Sequence, residues 1–170
     1  MSSLPKMPYM GTKIPAEKTQ MDITLLLKRY GVKDLQWTDL KGTLTLKFRH
    51  SWVFEGVQKE AMFQFSPPDI RVERRTWNQK LSRYEKVKVP HVAAAMRLLY
   101  WYLEGKLKAV TWGLESLEME MATHVLVPLP DGSEVTVGEI LKKRMDKAPL
   151  GGIEKLALEE KPVVALEAPQ

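Results

Sequence analysis

Apolar residues recur at steps of three and four from Val89 to Met121, and this spacing predicts one long amphipathic helix. At roughly 1.5 Å per residue the helix would be on the order of 50 Å long, the span of a small domain. Pro90 fits its first turn, where a missing N–H costs little. The apolar stripe comprises Val92, Met96, Leu99, Leu103, Leu107, Val110, Leu114, Leu117 and Met121.

A second set of residues, apolar or glycine, lies on another side of this predicted helix. It consists of the five candidate interface residues named at the end of this paragraph and Met119. One apolar face can be covered by the chain's own sheet, whereas a second face needs another helix. Two glycines eight residues apart also permit the close approach of another backbone. Packing against an N-terminal helix and self-association both remain open. The candidate interface comprises Leu98, Trp101, Gly105, Trp112 and Gly113.

The residues before the long helix predict a short helix and a small antiparallel sheet. A helical pattern covers residues 18–30, and Gly31 is suited to end it in the left-handed cap conformation. Short strands are expected over 34–38, 43–50 and 57–65, with turns at 39–42 and 55–56. Alternation points one set of side chains inward, namely Leu44, Leu46, Phe48, Ala61, Phe63 and Phe65. Trp52 and Phe54 continue the apolar positions of the second strand.

Prolines 67 and 68 end this strand pattern, and Ile70 and Val72 suggest one further short strand. Residues 74–88 are expected to form a basic loop or irregular segment. After the long helix, the pattern predicts a hairpin, with strands over 124–129 and 134–137 joined by a turn at 130–133. Residues 138–145 are predicted to form a short helix.

The order of elements predicts an α+β fold. A small antiparallel sheet of three to four strands is covered by a short N-terminal helix and one long helix, followed by a C-terminal hairpin and short helix. Residues 1–17 are expected to form an extended arm, 18–146 a single domain, and 147–170 a mobile tail.

Composition excludes several classes of protein. The chain contains no cysteine among its 170 residues, which excludes disulfide scaffolds, thiolate zinc sites and cysteine nucleophiles. The sequence has no run of 18 apolar residues and no secretory signal pattern. Membrane insertion is therefore not expected, and we expect a cytoplasmic location. No Gly-rich phosphate loop or nucleophile elbow occurs, and neither a cofactor nor catalytic residues are predicted.

Charge is concentrated in one part of the chain. The net charge is +5, and residues 69–91 hold seven cations against three anions. Such a concentration favours a polyanionic partner, and interleaved aromatic rings can stack unpaired bases. The candidate nucleic-acid-binding residues are Lys47, Arg49, Arg71, Arg74, Arg75, Trp77, Lys80, Arg83, Tyr84, Lys86 and Lys88. We expect Lys47 and Arg49, on the outer face of a strand, to join the loop in one continuous surface.

Other candidate chemistry has a simpler interpretation. The three histidines, His50, His91 and His124, lack the short spacing of a zinc motif and are expected at surface or capping positions. Asp69, Glu73 and Glu85 are the nearest approach to a metal-binding carboxylate cluster, with Lys80 nearby. Because they alternate with arginines, ion pairing is the expected role, and a metal-dependent nuclease is a distant alternative.

The N-terminal sequence from Met7 to Ala16, MPYMGTKIPA, with Lys18 and Thr19 after it, resembles the opening of an uncharacterised family of small phage- and prophage-encoded proteins. A Leu129-Pro-Asp-Gly132 element extends the likeness over residues 7–145. The resemblance implies a viral setting, with a helix, a small sheet, a basic stretch and a long helix containing tryptophan. It implies no reaction and no site residues.

Together these patterns predict a non-enzymatic nucleic-acid-binding protein with weak sequence preference. The partner would be DNA or RNA, and the long helix would permit a homo-oligomer. The alternative is a viral module that binds a host protein through the long helix. A structural protein of a particle is a third possibility.

Overall fold

The computed structural model describes residues 8–40 and 43–147 of the chain. Three parts of the predicted segments lie outside the described residues: 1–7 of the arm predicted over 1–17, 148–170 of the tail predicted over 147–170, and 41–42 of the turn predicted over 39–42. The helices are α1 (Ala16–Arg29), α2 (Val92–Thr111), α3 (Leu117–Glu120) and α4 (Val137–Lys147), with a 3₁₀ turn at Ala122–His124. The strands are β1 (Leu35–Leu40), β2 (Thr43–Phe54), β3 (Val57–Phe65), β4 (Arg71–Asn78), β5 (Arg83–Pro90), β6 (Leu126–Pro128) and β7 (Glu134–Thr136).

Helices and antiparallel strands confirm the α+β class. The strands form a three-stranded sheet β1-β2-β3 and two separate hairpins, β4-β5 and β6-β7. The inward set predicted for β2 and β3 is largely confirmed, because Leu46, Phe48, Phe63 and Phe65 are buried. At the far end of the sheet the alternation no longer marks the core, since Phe54 is 57% exposed.

One hydrophobic core joins this sheet to α1 and α2. Ile23 and Leu27 of α1 lie in the same buried cluster as Met96, Leu103 and Leu107 of α2. The cluster also holds three phenylalanines of the sheet, Phe48, Phe63 and Phe65. The long-helix stripe therefore serves the chain's own core along most of its length. A smaller cluster of Ile70, Ala94 and Ala95, with Leu98 packed against it, joins the base of the β4-β5 hairpin to the start of α2.

The two principal helices end in the same capping motif. After α1, Gly31 adopts φ +84° and Val32 N–H donates to Leu27 O at 3.2 Å, which confirms the predicted cap. After α2, Gly113 adopts φ +69°, and Leu114 N–H donates to Ala109 O at 3.1 Å. These are Schellman motifs. A glycine in the left-handed conformation turns the chain back, so that its own N–H and the next one bond to unpaired carbonyl groups of the last helical turn.

The second of these caps shows that one continuous helix over 89–121 was a wrong prediction. The helix ends at Thr111, and a separate turn, α3, begins after Ser116, whose hydroxyl accepts a hydrogen bond from Met119 N–H. The apolar spacing persists across the break because Leu117 and Met121 return to the core. Pro90 is the last residue of β5 rather than a first-turn residue, and His91 caps α2 through a hydrogen bond from Ala94 N–H.

Several boundaries also differ from the sequence pattern. Helix α1 begins at Ala16, two residues before the predicted domain start, and α4 extends over Val137–Lys147. His124 belongs to the 3₁₀ turn, so the strand predicted from residue 124 begins only at Leu126. The fourth strand expected for the main sheet pairs instead in the β4-β5 hairpin.

Candidate nucleic-acid interface

The basic segment predicted as a loop is an antiparallel hairpin. Strands β4 and β5 pair from Arg71 opposite Pro90 to Asn78 opposite Arg83. Each strand has eight residues, so the ribbon is about 27 Å long. The loop prediction failed because polar and charged side chains occupy most positions on both faces of the ribbon, and valines alternate with lysines only near its base, at Val87 and Val89.

The register of the hairpin separates its side chains into two faces, because directly paired residues share a face and successive residues alternate. Here "the basic face" means the face that carries both aromatic rings, and every residue on it is exposed. Four cations stand on it against one carboxylate, Glu73. Its members are Arg71, Glu73, Arg75, Trp77, Tyr84, Lys86, Lys88 and Pro90.

Charge on the basic face is only partly neutralised within the protein. Arg71 Nε lies 3.1 Å from a carboxylate oxygen of Asp69, and Lys86 Nζ lies 3.5 Å from one of Glu73. Arg75 and Lys88 form no ion pair with any residue that the structure describes. Exposed ion pairs contribute only about 0–1 kcal/mol, so a phosphate can compete with these carboxylates for their partners.

The aromatic pair lies at the far end of the basic face, next to the hairpin turn. Trp77 and Tyr84 are directly opposite each other, with ring centroids 5.1 Å apart and planes inclined at 68°. Trp77 is 50% exposed and Tyr84 69% exposed. Neither ring belongs to a buried cluster of the described chain, so their large apolar surfaces remain accessible.

The other face of the hairpin is more nearly neutral and partly buried. Here "the opposite face" comprises Val72, Arg74, Thr76, Asn78, Arg83, Glu85, Val87 and Val89. Arg83 Nη2 lies 3.0 Å from Glu85 Oε1, and the Asn78 amide donates to Glu85 Oε2 at 2.9 Å. The Asn78 and Arg83 hydrogen bonds hold the pKa of Glu85 below its ordinary value, so this carboxylate stays ionised.

The turn of the hairpin, residues 79–82, is shaped by local hydrogen bonds. Asn78 Oδ1 accepts hydrogen bonds from the backbone N–H of Lys80 at 3.0 Å and of Leu81 at 3.3 Å. Ser82 adopts φ +47°, the left-handed conformation that reverses the chain into β5. The Lys80 side chain is exposed at this turn, beside the aromatic end of the ribbon.

Lys47 and Arg49 belong to a different sheet from the other candidates. Both lie on β2, on the face away from the buried phenylalanines. Lys47 Nζ lies 2.6 Å from Glu134 Oε2, and Arg49 Nη1 lies 3.9 Å from Glu60 Oε2. The two sheets are not joined by strand pairing, so the main sheet and the hairpin do not form a single ribbon.

The five candidate interface residues do not share one environment. Leu98 is partly buried against Ile70, and Trp101 is 42% exposed, with Tyr9 of the N-terminal segment stacked on it at 6.2 Å. Trp112 is 70% exposed. A Cβ atom at Gly105 or Gly113 would meet no described atom within 4 Å, so neither glycine accommodates a close neighbour within this chain.

The residues considered for metal chemistry are engaged elsewhere. Asp69, Glu73 and Glu85 form ion pairs with Arg71, Lys86 and Arg83 respectively. No group of three or more potential metal ligands occurs within residues 8–40 and 43–147.

Sequence reasoning missed a polar cluster around His124. The ring stacks on Phe65 with centroids 4.0 Å apart, and its Nδ1 lies 3.3 Å from Gln64 O. Burial lowers the pKa of His124 by more than the hydrogen bond to Gln64 O raises it, and the positive charge of Lys106 lowers it further. Lys106 itself donates to Glu120 O at 2.7 Å and to Glu120 Oε1 at 3.0 Å. The cluster joins α2 to the segment before β6.

Comparisons with known proteins give no indication of the function. No family model, curated protein or solved structure matches the chain. In the part of the chain that the structure describes, no helix combines the length and apolar character needed to span a membrane.

Proposed function

We propose that this protein binds nucleic acid through the basic face of the β4-β5 hairpin. The observation that carries the proposal is the register, which gathers Arg71, Arg75, Lys86 and Lys88 on one exposed face together with Trp77 and Tyr84. Cations on an accessible ribbon attract phosphates, and the attraction depends on salt because bound counterions are released. The N-terminal resemblance supports a viral setting for this activity.

The proposal concerns the hairpin and not the whole set of cations considered at the outset. Arg83 is held by Glu85 on the opposite face, while Lys47 and Arg49 lie on the main sheet with their own carboxylate partners. Arg74 is exposed but also lies on the opposite face. These residues are expected to contribute long-range attraction rather than direct contacts, since exposed charges act over a Debye length of about 8 Å at physiological salt.

Neighbouring arginines on opposite faces provide the test. Arg75→Gln removes a cation from the basic face, and Arg74→Gln makes the same change one residue away on the opposite face. The measurement is the affinity for fluorescent DNA across a salt series, plotted as the logarithm of the binding constant against the logarithm of the salt concentration. The slope should be shallower for Arg75→Gln than for Arg74→Gln, by about 0.7–0.9 for one lost phosphate contact. Equal effects of the two variants, or no salt-dependent binding by the wild type, would contradict the proposal.

A second candidate function is protein binding at the end of α2. Its support is three exposed apolar side chains, Trp112, Leu114 and Met119, at 70%, 67% and 63% exposure. Self-association through them would appear as concentration-dependent sedimentation that is lost in Trp112→Glu and retained in Met21→Glu, a change at a similarly exposed site on α1. Two results together would exclude this function: the wild type sediments as a monomer, and it retains no partner protein whose binding is lost in Trp112→Glu.

A further inference from the structure

The aromatic end of the hairpin suggests which form of nucleic acid the protein prefers. We infer that the basic face binds an unpaired strand, with bases stacked on Trp77 and Tyr84 and the phosphates following the cations toward the base of the ribbon. This inference rests on the proposed function and adds the substrate class to it.

The first argument is the accessibility of the rings. Trp77 and Tyr84 touch each other edge to face and leave half or more of their surfaces exposed. A cross-strand aromatic pair stabilises a ribbon, but its edge-to-face contact covers only one face of one ring, so other flat faces can receive another planar group. In a duplex the faces of the bases are already stacked, and exposing one requires unpairing at a cost of a few kcal/mol. An unpaired strand offers its base faces without that cost.

The second argument is the arrangement of the cations relative to the rings. Arg75 and Lys86 form the rung next to the aromatic pair, Lys88 stands on the following rung, and Arg71 on the one after it. Same-face rungs are about 7 Å apart along a strand. A flexible single strand can match this spacing because its backbone is not held at the duplex rise of roughly 3.4 Å per nucleotide.

The third argument is the lack of amide side chains on the same face. Asparagine and glutamine read adenine through its edge in the major groove, whereas arginine and lysine bind phosphates as well as guanine edges. Besides the aromatic rings, the cations and Pro90, the basic face carries only the side chain of Glu73, which pairs with Lys86. Stacking and phosphate attraction give tight binding with little sequence preference.

The experiment separates bases from phosphates. Oligothymidylate and an abasic oligonucleotide of the same length carry equal charge, so the ratio of their dissociation constants isolates stacking. The wild type is expected to bind oligothymidylate more tightly, by about 5- to 150-fold for one stacked base. Trp77→Leu, which keeps an apolar side chain in the hairpin, should remove most of this preference, whereas Trp77→Phe should retain it. Trp52→Leu, at a tryptophan on β2 of the main sheet, should leave it unchanged.

The other outcomes are distinct from one another. Equal, salt-dependent binding of both oligonucleotides would retain the proposed function and overturn the stacking inference. Tighter binding of a duplex that depends on Trp77 would indicate insertion of an aromatic wedge into paired DNA, and would also overturn it. If oligothymidylate, the abasic oligonucleotide and a duplex all failed to bind in a salt-dependent way, both proposals would be overturned.

Discussion

The Tyr102 hydroxyl lies 2.8 Å from Nε2 of His124, and this hydrogen bond joins α2 to the 3₁₀ turn. Gln64 O lies near the other ring nitrogen, so a neutral ring that donates from Nδ1 can accept from Tyr102 through Nε2. Protonation would replace that acceptor with a second N–H. The Tyr102 hydroxyl can donate or accept, so the contact is compatible with either form, and burial of the ring is what favours the neutral form in the folded protein.

This arrangement predicts a loss of stability on acidification. Burial lowers the pKa of His124, and burial likewise lowers the pKa of His50, below the ordinary value of 6.5. The unfolded chain then binds more protons, so stability is fully present above pH 6.5 and declines as pH falls through the lowered pKa. Chemical denaturation of the wild type should show this decline, and His124→Gln should reduce it.

The double variant His50→Gln/His124→Gln gives the reference curve for this measurement, because it removes both histidines whose pKa is lowered by burial. It should show the flattest pH dependence in the same range. A wild-type curve that coincides with that of the double variant would contradict the assignment of the pH dependence to these rings.

Two lysines on α2 should differ sharply in their contribution to stability. Lys106 has a side chain only 17% exposed and donates to both the backbone and the carboxylate of Glu120. Lys108 is 48% exposed and pairs with Glu104 along the same helix. Lys106→Met should lower the free energy of unfolding by about 1–2 kcal/mol, and Lys108→Met by roughly 0.5 kcal/mol or less. Urea denaturation measures both, and similar losses would contradict the structural role of Lys106.

Two glycines on the predicted long helix should respond to alanine with opposite signs. Gly105 lies inside α2 with space for a Cβ atom, so Gly105→Ala should stabilise the protein by about 0.5–1 kcal/mol. Gly113 adopts φ +69°, where a Cβ atom is strained, so Gly113→Ala should cost roughly 1–2 kcal/mol. If both variants gained stability equally, α2 would continue past Thr111 after all.

The sheet and the first helix were predictable because their side chains divide between core and solvent. Alternation in β2 and β3 follows from burial of one face, and Gly31 follows an apolar helical run directly. Gly113 was harder to interpret, since the apolar spacing continues beyond it to Leu117 and Met121. Periodicity reports which residues reach the core and does not report whether the backbone between them is helical.

The candidate site was predictable in composition but not in geometry. Counting charges located the basic segment, whereas its two faces depend on where the chain turns, which Asn78 and Ser82 set locally. A shift of one residue in a strand would exchange Arg74 and Arg75 between the faces. Gly138 was likewise missed: a Cβ atom there would lie 2.9 Å from Thr123 O, a contact between segments that sequence spacing does not encode.

The apolar stripe itself supplies a prediction. Leu107 and Leu114 occupy equivalent positions seven residues apart, yet Leu107 is fully buried and Leu114 is 67% exposed beyond the end of α2. Leu107→Ala should lower the free energy of unfolding by about 2–5 kcal/mol, because a core cavity replaces the side chain. Leu114→Ala should change it by about 0.5 kcal/mol or less. Comparable losses at both positions would mean that the stripe is buried throughout.

The hairpin that carries the proposed interface should also open more readily than the main sheet. Strand β2 has Leu46 and Phe48 in the core, while β4 and β5 contain no buried residue and pair only with each other. Amide protection depends on the free energy of local opening, which is small where few apolar contacts hold a segment. Amides of the hairpin should therefore exchange with deuterium well before those of Leu46 and Phe48. Bound oligothymidylate should slow exchange in the hairpin selectively, since a ligand stabilises the form it binds. Equal protection of hairpin and sheet in the free protein would mean that the ribbon is held by contacts beyond those of its own two strands.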